Sequence, residues 1–276
     1  MLNVHTVYRK GIMSFLNKIK DSNKTKSLKE SIKNGIKTFK ENKGFFGLLI
    51  LIVTVKSSII DWNYVPTGSM RPTLADGDQI IINKLAYDIT IPLTYKSLYK
   101  ISDPEKGDIV VFDTAKQDVR MVKRVLAVPG DKIKIRKNKV YINDKELEYA
   151  EDFNSEFLES VFKPLDESDK KNYKENDLSI DKMAVKYQTE TLNGIKHGIR
   201  LEEGVQKIGS LGLKEMIIPE NNYLMIGDNR NNSLDSRYWG LVERHEIVGK
   251  VNHVVFSLDQ DNWLKPRTDR FFTRVD

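Results

Sequence analysis

The chain of 276 residues contains no cysteine. Thiol nucleophiles, thiolate metal sites, redox pairs and disulfides are therefore excluded, although this names no compartment by itself. Histidine is scarce as well. His5, His197, His245 and His253 are scattered, with no HExxH or other ligand spacing, so neither a metal nor a cofactor is expected. No internal repeat or low-complexity segment is present, which excludes a solenoid.

A net positive excess is lacking from most of the chain despite a formal net charge of +6. Residues 1–43 hold eleven Lys and Arg against three Asp and Glu, an excess of +8, and the remaining 233 residues carry 34 against 36. A nucleic-acid enzyme would be expected to keep its basic excess on the folded body, so no nucleic-acid partner is expected. The excess lies instead beside the most apolar run, Gly44 to Val55. Twelve residues reach only about 18 Å as a helix against about 30 Å of hydrocarbon, so a core helix or re-entrant segment also fits the length. Lys43 and Lys56 at its two ends and the basic flank upstream favour a single transmembrane anchor over 44–60, with the N-terminus cytoplasmic. No small-x-small cleavage site follows the run, which speaks against a removable leader. Phe15, Leu16, Ile19, Ile32, Ile36 and Phe39 recur at roughly helical spacing, as in an amphipathic surface helix; a disordered charged tail is the other reading.

From residue 78 onward short Val- and Ile-rich segments are bounded by Gly-Asp, Pro-Gly-Asp and Asn-Asp turns. They predict strands at 79–83, 108–112, 120–128, 132–136, 139–142, 223–226 and 247–256, and a mostly β body. Lys137-Asn138 joins two of these as a hairpin. Residues 147–216 are polar and Lys/Glu/Asp-rich, and read as an inserted smaller domain of α+β or β type, with one candidate strand at 183–188. The predicted organisation is a basic segment 1–43, an anchor 44–60, a catalytic β domain 61–146 and 217–276, and the insertion 147–216.

Three segments carry polar residues that a plain sheet does not need. In Pro66-Thr-Gly-Ser-Met-Arg-Pro-Thr-Leu74 a constrained backbone surrounds Ser69, which reads either as a presented nucleophile or as a turn cap. In the strand 121–128, alternation places Met121, Lys123, Val125 and Ala127 on one face and Val122, Arg124, Leu126 and Val128 on the other. Lys123 among apolar neighbours would lose its charge more easily and serve as a general base; an exposed edge-strand lysine is the plainer reading. Gly227 to Gly240 concentrates hydrogen-bonding side chains between two apolar runs, which suggests a network or a site.

Taken together, Ser-Met-x-Pro-Thr-Leu, Gly-Asp-x-Ile at 77–80, Lys-Arg-x-x-x-x-Pro-Gly-Asp and Gly-Asp-Asn-Arg-x-Asn-Ser-x-Asp-Ser-Arg-Tyr-Trp-Gly resemble the boxes of bacterial type I signal peptidases. The resemblance covers roughly 55–146 and 217–265. It implies an antiparallel β catalytic core with a variable second domain, anchored in the inner membrane with the catalytic domain on its periplasmic, extracytoplasmic side. It further implies Ser69 as nucleophile, Lys123 as general base, and the Ser69 N–H with the Thr67 hydroxyl as oxyanion donors. Ser233 would orient the lysine amine, while Arg124 with Asp228 and Asp235 with Arg237 would support the site. Two departures are Ala127, where Gly is frequent, and Arg71, where an apolar residue is common.

The implied substrates are signal peptides of exported preproteins, cut after small residues in an Ala-x-Ala pattern. Adjacency to the dyad nominates Tyr64, Val65, Met70 and Val122 as pocket linings. The lipid bilayer is an expected partner, also for the aromatic and Arg-rich stretch 263–274, and the Sec translocon a further one. A conjugal-transfer-type maturation peptidase with one dedicated substrate, and an inactive membrane-anchored binding homologue, are the competing readings. A self-cleaving repressor would need a helix-turn-helix, and none is seen.

Overall fold

The computed structural model describes residues 22–94, 96–114, 119–136, 138–151, 185–202, 215–259 and 264–275. Phe15, Leu16, Ile19, Met183 and Trp263 lie outside these. By its contacts the chain divides into residues 1–54 and 55–276. The first unit holds helix α1 (Ser22–Glu41) and most of α2 (Lys43–Ser58). Ile32, Ile36 and Phe39 of α1 are exposed. Among the described residues no helix is long and apolar enough to cross a membrane. The sixteen residues of α2 rise only about 24 Å.

In chain order the strands are β1 (Ile60–Tyr64), β2 (Asp78–Asn83), β3 (Asp88–Thr90), β4 (Ser97–Lys100), β5 (Ile109–Thr114), β6 (Val119–Ala127), β7 (Lys132–Arg136), β8 (Lys139–Ile142) and β9 (Lys145–Glu146). Then come β10 (Glu148–Ala150), β11 (Val185–Leu192), β12 (Ile195–Glu202), β13 (Met216–Ile217), β14 (Asn222–Ile226), a one-turn helix α3 (Ser236–Trp239), β15 (Val242–Glu243), β16 (Ile247–Asp259), β17 (Lys265–Pro266) and β18 (Thr273–Arg274). The principal sheet runs β1-β2-β16-β5-β6-β14-β15, every pairing antiparallel. Val- and Ile-rich β2, β5 and β16 bury one side in a core with Val65, Met70, Leu74, Ile80, Ile82, Ile109, Val111, Val251 and Val254. A second core lies under the β7–β8 hairpin, where Ile133, Ile135, Val140 and Ile142 meet Leu126, Leu192 and Leu224.

The seven strands expected in the body are present to within three residues at each end, β11 overlaps the candidate strand at 183–188 from residue 185 onward, and the other strands, β1, β3 and β4 among them, are additional. Strict alternation along β6 does not hold. Leu224 pairs with Ala127 and Met225 with Val125, so Leu126 is an extra residue, a bulge. Leu126 and Ala127 consequently join one core while Val125 joins another, with Phe112 and Met225.

The described part of 147–216 is a three-stranded sheet, β10-β11-β12. Its long hairpin pairs Leu192 with Ile195 across Asn193-Gly194, both with positive φ, the backbone that a tight two-residue turn demands.

Candidate active site

Three elements converge on Ser69. A single turn, Gly68–Met70, presents the serine; β6 supplies Lys123; and the segment after β14 supplies Gly227 to Asn229. Lys123 Nζ lies 2.7 Å from Ser69 Oγ and also donates to Val122 O at 2.9 Å. The lysine is only 4% exposed. Burial is the main reason that its pKa falls from 10.5 to about 8, helped by Arg237 and opposed by Asp235 and Asp228. At pH 7 roughly a tenth of the amine is then neutral, about 300 times the share of an ordinary lysine. A hydroxyl and an amine so placed can exchange a proton directly, with no histidine between them.

Gly227 brings the third element close. A Cβ there would sit 2.4 Å from Ser69 O and 2.2 Å from Ser233 Oγ, so only glycine admits this approach. Asn229 then clasps the serine turn, its N–H donating to Ser69 O at 3.1 Å and its Nδ2 to Gly68 O at 3.0 Å. Beneath them Arg124 forks onto Asp228, Nε to Oδ1 at 2.9 Å and Nη2 to Oδ2 at 2.8 Å, and donates from Nη1 to Gly107 O. Burial alone would raise the Asp228 carboxyl; Arg124, His197 and the Thr73 hydroxyl outweigh it and hold the group below its ordinary value. Asp235 receives the Arg237 guanidinium through both oxygens at 2.8 Å and caps α3 and the Gly227 N–H.

Residues 39–256 match the sequence profile of the family described as Signal peptidase, peptidase S26. A signal peptidase I of Buchnera aphidicola (subspecies Schizaphis graminum) is 32% identical over 89% of this chain and 84% of its own length. The chain belongs to the signal peptidase S26 family. A second signal peptidase I, from Pseudomonas aeruginosa, is 32% identical over 84% of this chain and 76% of the relative. A solved signal peptidase I from Enterococcus faecalis, 24% identical, aligns with 54% of this chain and 97% of its own at a TM-score of 0.30, a local superposition that leaves the fold to the strand pairings above.

Within this family member the structure brings together Ser69, Lys123, Arg124, Asp228, Asp235 and Arg237, and departs from expectation at three points. Ser233 does not bond Lys123: its Oγ is buried without a hydrogen-bond partner, against Gly227, because the amine is turned toward Ser69 and Val122 O. Val65 and Met70, 1% and 0% exposed, belong to the β core and do not line an open pocket; adjacency along the chain failed because their side chains point inward. Tyr64 is exposed and Val122 partly buried, so these two remain accessible. Thr67 is exposed at the start of the serine turn. Arg71, the unusual residue of the serine box, packs beneath Gly68 and pairs with Asp76.

Sequence reasoning missed three residues. Glu190, His197 and Arg200 of the inserted hairpin are buried beside Arg230, and Glu190 grips Arg230 with both oxygens. Burial would raise the Glu190 carboxyl, but the Arg230 charge overrides it and holds the group far below the carboxylate range. The signal was available. Thr191-Leu-Asn-Gly-Ile-Lys196 carries Asn-Gly between alternating residues, a strong hairpin marker that places Glu190 opposite His197.

Proposed function

We propose that this chain is a membrane-anchored serine endopeptidase that removes signal peptides from exported preproteins after small-x-small sites, using Ser69 and Lys123. The observation that carries the reading is the 2.7 Å contact between the serine oxygen and a buried lysine whose charge is disfavoured. In the first step neutral Lys123 takes the Ser69 proton as Oγ attacks the scissile carbonyl, and the developing oxyanion is met by the Ser69 N–H and the Thr67 hydroxyl. The resulting lysine ammonium protonates the leaving amine, giving an acyl-enzyme. Lys123, neutral again, activates the water that releases the acyl group.

Ser233 belongs to this scheme as the hydroxyl that bonds the lysine once substrate displaces the present geometry; its unpartnered Oγ beside the site supports that role. Tyr64 and Val122 are the pocket residues. Membrane anchoring by residues 44–60, a cytoplasmic basic segment 1–43, the division into a body 61–146 and 217–276 with an insertion 147–216, and contact with the bilayer and the Sec translocon are parts of the same proposal. The asymmetric charge of the N-terminal segment and the exposed Trp62, Phe271 and Phe272 support them.

The test is cleavage of a preprotein with an Ala-x-Ala signal peptide by the full chain in detergent. Correctly placed cleavage lost in Ser69→Ala and in Lys123→Met is expected, and survival of activity in either variant overturns the dyad. Because the neutral amine is the base, kcat/KM should rise with pH through about 8. A profile flat from pH 6 to 9 excludes Lys123 as that base.

A further inference from the structure

The polar strip Asp228–Arg230 has two sides. On one side Asn229 holds the serine turn through Ser69 O and Gly68 O. On the other it is clipped to the inserted hairpin: the Arg200 N–H donates to Asp228 O at 2.9 Å, and the Arg230 N–H donates to Arg200 O at 2.9 Å. The hairpin adds a side-chain lock. Glu190 of β11 takes the Arg230 guanidinium on both oxygens, Nη1 to Oε2 at 2.8 Å. His197 of β12, directly across from Glu190, packs with Nε2 3.2 Å from Glu190 Oε1 and 4.0 Å from Asp228 Oδ1, without hydrogen-bond geometry to either. Every one of these side chains is buried.

The consequence for the reacting atoms follows from peptide geometry. In a planar trans peptide the C=O and N–H point in opposite directions, so fixing Gly68 O fixes the direction of the Ser69 N–H. That N–H is the main-chain oxyanion donor of the function proposed above, on which this inference rests. We propose that Glu190 of the inserted hairpin, with His197 packed against it, is a positioning residue for the peptidase reaction, holding Arg230 and the Asp228–Arg230 strip so that Asn229 aims the Ser69 N–H at the oxyanion. The hairpin is thereby part of the catalytic apparatus although it touches neither the nucleophile nor the base. A purely stabilising hairpin would instead lower the amount of folded protein and leave turnover per folded molecule unchanged.

The experiment compares wild type, Glu190→Gln, Arg230→Lys and His197→Asn as full chains in detergent, measuring kcat and KM on an Ala-x-Ala preprotein alongside the thermal midpoint. In variants that melt cooperatively above the assay temperature, kcat should fall about tenfold or more for Glu190→Gln and Arg230→Lys, with KM within about twofold, because a mis-aimed donor weakens the transition state and not substrate binding. His197→Asn should give a smaller fall of the same kind. Should Glu190→Gln not fold, Arg230→Lys decides, since it keeps the buried charge and loses only the two-pronged grip. Wild-type kcat in a folded Arg230→Lys or Glu190→Gln overturns the inference alone. Wild-type protein that does not cleave overturns the peptidase reading itself and this inference with it.

Discussion

Lys123 is held where a charge is disfavoured, and the cost is measurable. Its folded pKa of about 8 lies below the ordinary 10.5, so between those values the unfolded chain binds more protons and stability rises with pH. Below pH 8 the folded state carries the full penalty. Lys123→Met should therefore stabilise the protein at pH 6 by about 1–3 kcal/mol after the loss of two hydrogen bonds, an advantage that disappears by pH 10.5. Equal melting temperatures for the two proteins at pH 6 would show that the amine is not desolvated. Ser233 gives a contrasting case. Its buried hydroxyl has no partner, so Ser233→Ala should leave the stability unchanged or raise it by about 1 kcal/mol or more, with a melting temperature equal or higher, while lowering kcat. A lower melting temperature would mean that the hydroxyl is already bonded in the free protein.

Between elements, the fork from Arg124 on β6 to Asp228 after β14 ties the strand that carries the base to the strip that clasps the nucleophile. Both side chains are buried, so removing one partner strands the other. Arg124→Met or Asp228→Ala should each cost about 3–5 kcal/mol in denaturant titration. Loss of under 1 kcal/mol would place the pair in contact with water. Combining the two changes should recover much of the stability and none of the activity, because Gly107 O and Thr73 lose their partners with the ions. How much of this was legible differs by element. The β7–β8 hairpin and the strand of Lys123 were readable because apolar alternation and turn residues are local signals. The bulge at Leu126 was not, since it arises from register against β14. Glu190 and His197 were missed because their polar, charged setting looks solvated until the hairpin is laid on the Gly-Asp-Asn-Arg strip.

For the whole molecule, charge and hydropathy are unevenly divided: an N-terminal segment with eleven basic residues, then an apolar helix, then a nearly neutral β body. Helix α2 alone spans less than the hydrocarbon thickness, so an anchor there depends on Lys43 and Lys56 reaching the interfaces along their stems. The full chain should stay with the membrane pellet after high-salt and alkaline carbonate washes, and deletion of residues 43–58 should release it. Release of the intact chain by salt alone would reduce the attachment to surface electrostatics.

The pairing of Ser69 with Lys123 was implied by the family resemblance; what the sequence by itself determined is the β character and the order of the three polar boxes. Those features depend on residue type and local period. Only the tertiary structure decided which side chains face the reaction: Met70 and Val65 went to the core, Ser233 stands without a bond, and the insertion reaches the site through Arg230. The physical reason is that burial and hydrogen-bond partnership are set by contacts between residues far apart in the chain, and those contacts alone remove Lys123 from water.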